Sequence, residues 1–302
     1  MSYDLSKVLV VGISTRALFD LEKDNEIYEK EGIKPYIKHE LDHVDNVLRP
    51  GTAFRLVKNI LALNTGMKEK LVEVIILSRN NAVTSLRITQ SIEHYNLDIT
   101  RSAWTGGENI SRYLSPYKVD LFLSANEHDV QEAIDAGFAA ARIYKFGKYT
   151  PETKIDKQLI KIAFDGDAVI FSDESEKIYK EKGLEEFIKH ERENANKPIP
   201  EGPFASLLKS VSKVQSEFNN KDKPCPIRTA LITARNSPAH ERVIRTLAEW
   251  NVMIDEVHFM GGVSKHEVLA AFRADIFFDD QDVHCVPASR VVPTAKVPYK
   301  NE

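Results

Sequence analysis

Six short apolar, β-branched runs punctuate the chain: "KVLVVGI" at 7–13, "VEVIIL" at 72–77, "VDLFLS" at 119–124, "LIKIAF" at 159–164, "IRTALIT" at 227–233 and "ADIFFDD" at 274–280. The stretches between them carry apolar residues at helical spacing. Strands that are apolar on both faces and alternate with helices belong to a parallel sheet covered on both sides. The pattern predicts an α/β, doubly wound architecture.

The runs fall into two sets of three, and other phrases recur with them. "IYEKEGIKPYIKHE" from Ile27 returns as "IYKEKGLEEFIKHE" from Ile178, 151 positions later. "RPGTAF" at 49–54 answers "PEGPFA" at 200–205, "LSRNN" at 77–81 answers "TARNS" at 233–237, and "TGG" at 105–107 answers "MGG" at 260–262. Solenoid repeats run to about 20–50 residues, so a period this long is a whole domain. We therefore expect two duplicated domains, 1–150 and 151–302, with the boundary near 147–156, where "GKYTPETKID" gathers Gly, Pro and Thr. The Glu/Lys-rich stretch at 173–195 reads as a charged amphipathic helix, either a solvated face or part of a cap near 172–225.

A chain of 302 residues, 42% hydrophobic and 28% charged, has room for two packed cores. Its 41 basic and 45 acidic side chains are mixed along the sequence and leave a net charge of −4, with no basic stripe to grip nucleic acid. No run of about 18 apolar residues offers a membrane span, and the start "MSYDLSKVLVVGIS" lacks signal-peptide features. A cytoplasmic protein is the expectation. Cys225 and Cys285, the two cysteines, fit no zinc or redox spacing and read as reduced thiols.

Chemistry concentrates at the strand ends of the second half. "FDGD" places Asp165 and Asp167 directly beyond a buried strand, where ligands of open α/β sheets bind. A second strand ends in Thr233, a third in Asp279 and Asp280, and Lys265 opens the helix before that third strand. Four carboxylates, a hydroxyl and an ammonium on one edge supply hard oxygen ligands for magnesium, a nucleophile and a cation for phosphate oxygens. They point to metal-assisted phosphoryl transfer.

In these residues the chain resembles the haloacid dehalogenase-like phosphohydrolase superfamily, with "IAFDGDAV", "ALITAR", "GGVSK" and "IFFDD" as its four motifs. The longer phrases "VLVVGISTRALFDLE", "FDGDAVIFSDESE", "CPIRTALITARNSPAHERVIRTL" and "ADIFFDDQ" are similar to the cytosolic 5′-nucleotidase I family over nearly the whole chain. The resemblance implies magnesium-dependent hydrolysis of nucleoside 5′-monophosphates. Asp165 would be the nucleophile and Asp167 the acid and base. Thr233 and Lys265 would hold the phosphoryl oxygens. Asp165, Asp279 and Asp280 would hold the metal, with Asp167 joining through its carbonyl. A phosphatase for another small phosphomonoester, or a nucleotide-binding sensor, is the alternative, and a homo-oligomer is compatible with the sequence.

Aligned on the repeat, Ser14 and Arg16 stand where the second half has Asp165 and Asp167, Ile110 faces Lys265, and Ser124 and Ala125 face Asp279 and Asp280. The first half keeps the scaffold and lacks the charged groups. His284, four residues past Asp280, is within reach of the site, although core packing is the simpler expectation. Arg235 and Asn236 follow Thr233, where they could line a phosphate pocket, but the letters pair them with Arg79 and Asn80 of the first half, which suggests a structural role. The glycine pairs at 106–107 and 261–262 match no phosphate-loop pattern and read as turns.

Overall fold

The computed structural model describes residues 3–146, 159–219, 224–236 and 239–301, so the boundary expected at 147–156 lies outside the described residues. These residues form two compact units, one of 3–138 and the other of 139–146 with 159–301.

In the first unit β1 (Leu9–Ile13), β2 (Val72–Ser78), β3 (Arg101–Trp104) and β4 (Leu121–Ser124) lie parallel in the order β3-β2-β1-β4. The second unit contains β5 (Ala140–Ile143), β6 (Ile160–Phe164), β7 (Ile227–Thr233), β8 (Glu256–Phe259), β9 (Ile276–Asp279) and β10 (Thr294–Lys296). Their order is β5-β10-β9-β6-β7-β8, parallel throughout except that β10 meets β5 antiparallel. This is an α/β fold with mostly parallel strands.

The six apolar runs of the sequence are β1, β2, β4, β6, β7 and β9. Fully buried strands such as β1, β2 and β9 need apolar residues on both faces, which makes them visible as runs. β3 and β8 escape that signal because each is the outermost strand of its unit and stays partly exposed. β5 and β10 are only four and three residues long. In the second core the Phe164 and Phe278 rings stack at 5.5 Å and Phe204 closes on Phe278 at 4.9 Å.

Backbone pairing fixes how the units correspond. Ile13 pairs with Ile76 and Leu123, and Phe164 pairs with Leu231 and Phe278. Ser14 therefore corresponds to Asp165, Ser78 to Thr233, Ser124 to Asp279 and Ala125 to Asp280. The following loops agree, since Gly106 N donates to Asn80 O and Gly261 N to Arg235 O, both at 3.1 Å. This corrects the letter match of "LSRNN" with "TARNS" by one position: the counterpart of Arg235 is Asn80, and Arg79 instead pairs with Asp129 and Glu132. The shared Arg-Asn letters had masked a one-residue offset that the ladders reveal.

Helices fill the interval between first and second strands in both units. In the first, Glu22–Glu31 and Ile33–Asp42 are joined through Gly32. In the second, Glu174–Glu193 is broken at Gly183. Both glycines sit near φ +85° with extended ψ, a region closed to side chains, which turns one helical run into a hairpin. The segments Phe54–Ala62 and Ala205–Asn219 follow. The glycine pairs 106–107 and 261–262 are positive-φ turns, as expected.

Candidate active site

β6 delivers Asp165 at its carboxyl end, where Asp165 N donates to Phe278 O on β9 at 2.8 Å. The chain then makes one wide turn, Gly166–Ile170, with Ala168 in the left-handed region at φ +59° and Phe171 N closing onto Gly166 O at 2.9 Å. A Cβ on Gly166 would stand 3.3 Å from Thr233 Oγ1, so any larger residue here would press on that hydroxyl. The turn brings Asp165, Asp167 and the end of β7 together.

Lys265, only 2% exposed, reaches Asp165 Oδ1 at 2.9 Å and Asp279 Oδ2 at 2.7 Å. Gly166 N also donates to Asp165 Oδ1, at 2.7 Å, which leaves Oδ2 without a donor among the described residues. Asp279 Oδ1 accepts from Gln281 N at 2.9 Å. Asp280 is buried, its Oδ2 accepts from Tyr299 Oη, and its Oδ1 has no partner among the described residues. Ligand oxygens of Asp165, Asp279 and Asp280 lie within 4.8 Å of one another.

Burial and mutual repulsion dominate the electrostatics. Burial pushes Asp165 up to about 7, against the pull of Lys265 and with the push of Asp279. Asp280 is pushed up to about 8 by burial and then by the charges of Asp165 and Asp279. Asp279 is raised by burial too, with Lys265 opposing. Burial works against the Lys265 ammonium, but the two aspartates outweigh it and hold the lysine charged. Three carboxylates thus face one ammonium. An all-oxygen donor set, a bare buried Oδ1 and this excess of negative charge fit a hard divalent cation.

Asp167 stands apart from that cluster. Its two oxygens are held by Arg235, through Nε at 2.8 Å and Nη2 at 2.6 Å. Arg235 Nη1 meets Glu191 at 2.5 Å, and Glu191 is shared with Arg242 at 3.0 Å and Ser175 Oγ at 2.7 Å. Thr233 is buried and its Oγ1 accepts from Arg235 N at 3.2 Å. Burial and the Lys265 charge hold half-buried His284 below the ordinary histidine range. Cys285 is buried, and its Sγ donates to Asp279 O at 3.4 Å.

Asp165, Thr233, Asp279 and Asp280 lie at or just beyond the carboxyl ends of β6, β7 and β9, Asp167 follows in the wide turn, and Lys265 opens the helix His266–Phe272 that comes after β8. Five residues went unmarked: Glu191, Arg242, Glu176, Gln281 and Tyr299. One signal for Glu191 did exist, because "IKHE" is spelled identically in both halves. In the first unit the corresponding Glu40 lies near Asp24 and His39. Arg87 serves Asp24 at 2.7 Å, whereas Glu40 lies 3.6 Å from Arg87 and has no hydrogen-bond partner among the described residues.

Known proteins are similar to this chain along nearly its whole length. Human cytosolic 5′-nucleotidase 1B is 36% identical over 292 residues, covering 94% of this chain and 47% of that protein, so the chain spans about half the length of this curated relative. A solved structure of a Pnkp1/Rnl/Hen1 complex aligns over 97% of both chains at 13% identity, with a TM-score of 0.31, too low to inform the fold. Among the described residues no helix is long and apolar enough to cross a membrane. The family model described as 5′-nucleotidase matches residues 1–302, and the chain belongs to the 5′-nucleotidase family.

Proposed function

We propose that the protein hydrolyses nucleoside 5′-monophosphates to nucleoside and phosphate with magnesium, through an aspartyl-phosphate. The observation that carries this reading is Asp165: a buried carboxylate at a strand end, with Oδ1 tied down by Lys265 and Gly166 and Oδ2 left to react.

Asp165 Oδ2 forms a bond to phosphorus while the P–O bond to the nucleoside breaks, and the leaving oxygen takes a proton from Asp167. Asp167 then removes a proton from water, whose oxygen attacks phosphorus and releases Asp165 and phosphate. Arg235 occupies both oxygens of Asp167, so it must yield one before that proton transfer. Thr233 and Lys265 hold the phosphoryl oxygens against the developing charge. Asp165, Asp279 and Asp280, with the carbonyl of Asp167, would hold magnesium, which when bound would offset the repulsion between carboxylate and phosphoryl group.

The same proposal includes a duplicated origin for the two units, supported by the matching strand orders β3-β2-β1-β4 and β8-β7-β6-β9 and the matching glycine hairpins. The duplicated domains would divide near 150, with 1–150 non-catalytic. The helical segment near 172–225 acts as a cap that screens the nucleoside. A corresponding helical insertion in the first unit means that the catalytic half differs in its charged groups, not in possessing helices there. A cytosolic location, which the human relative's name states of that protein, is part of this reading.

The test is a panel of nucleoside 5′-monophosphates and unrelated phosphomonoesters, assayed with magnesium and after chelation. Nucleotides should lead the panel, and chelation should abolish release of phosphate. Equal turnover across the panel, or full activity without metal, contradicts the proposal.

A further inference from the structure

Asp279 and Asp280 are followed by two side chains, Gln281 and Tyr299, that both reach Glu176 on the hairpin. Tyr299 Oη donates to Asp280 Oδ2 and lies 3.0 Å from Glu176 Oε2. Glu176, on helix Glu174–Glu193, takes Lys180 at 2.6 Å and Gln281 Nε2 at 2.9 Å on its other oxygen. Gln281 returns through its backbone N to Asp279 Oδ1. Lys180 also stands over the Tyr299 ring, 5.6 Å from its centroid.

The hydroxyl of Tyr299 has one proton, and Glu176 already has an ammonium and an amide on Oε1. Asp280 Oδ2 is buried and has the greater need of a donor. With Oδ2 engaged, the carboxylate cannot rotate freely, and Oδ1 remains as the bare oxygen of the acidic cluster.

We propose that Tyr299 is a positioning residue for the cation site, orienting Asp280 so that Oδ1 is the ligand oxygen. The inference rests on the metal-dependent reading above. Partners of this kind fix ligand orientation around metals, and their loss typically lowers metal affinity about 10–100-fold. The Tyr299 side chain is partly exposed, at 42% for the residue, so removing its hydroxyl opens no core cavity.

The experiment is calorimetric titration of magnesium into the full chain, without substrate, for the unaltered protein, Tyr299→Phe and Asp280→Asn. Melting of each metal-free protein serves as the check on folding. We expect the unaltered protein to bind, Asp280→Asn to lose most of that binding, and Tyr299→Phe to bind about 10–100-fold more weakly while melting within a few degrees of the parent. Parental affinity in Tyr299→Phe, with binding lost in Asp280→Asn, overturns the positioning role alone. Absence of binding in the unaltered protein, or unchanged binding in Asp280→Asn, overturns the metal reading itself.

Discussion

Arg235 brings one positive charge to two carboxylates, Asp167 and Glu191, with its own side chain 2% exposed and that of Glu191 at 0%. Truncating it leaves buried charge unpaired, so Arg235→Ala should cost about 3–5 kcal/mol in urea unfolding. Lys at this position cannot span Asp167 bidentately and should recover only part of that loss. In the first unit Asn80 stands in the corresponding place, and Glu40 lacks the partners Glu191 enjoys. Burial, followed by the Asp24 carboxyl, pushes Glu40 up to about 8. A carboxyl raised on folding stabilises fully below its unfolded value of about 4.3, and the contribution is lost progressively as pH rises toward 8. With magnesium present, melting temperature should therefore fall less steeply across that window in Glu40→Gln than in the parent, and identical slopes would contradict the assignment. Asp165, Asp167, Thr233, Asp279 and Asp280 were legible because each lies at or beside a recognisable strand end, and Lys265 because it opens the helix that leads into β9. Glu191 and Tyr299 were not, because their partners are distant in sequence and neither sits in a motif that names one.

At the scale of elements, the return of the chain after each hairpin depends on close backbone approach. A Cβ on Gly202 would stand 2.3 Å from Phe171 O and 2.6 Å from Val169 O, both immovable backbone atoms of the wide turn that presents Asp167. Gly202→Ala should cost about 1–3 kcal/mol, and it should lower turnover through that turn. Gly183 differs: it has open space around it and needs glycine for its dihedral angles alone. Gly183→Ala should strain the hairpin by about 1–3 kcal/mol without crowding the site. Both glycines recur in the first half as Gly32 and Gly51, so their positions were visible in the repeat. Their reasons were not, since a dihedral requirement and a steric one leave the same letter. β5 and β10 were hidden in another way, being too short to show periodicity.

For the whole chain, the second unit recruits residues 139–146 from before the expected boundary, and β10 pairs with β5 through Ala295–Ile143 and Lys296–Arg142. A chain beginning at 139 should consequently melt higher than one beginning at 151, and equal melting would show that β5 adds little to that unit. The repeat revealed six strands and the unequal distribution of charge between the halves; it could not reveal a strand contributed from before the boundary. The central claim is that Asp165 attacks phosphorus, and the most direct measurement is phosphate release by Asp165→Asn at saturating magnesium and nucleotide. This change keeps the shape and removes the nucleophile. The account predicts a fall of about three powers of ten or more, equivalent to about 4 kcal/mol of barrier, with melting close to the parent. A variant that retained a tenth of the parental rate would contradict it.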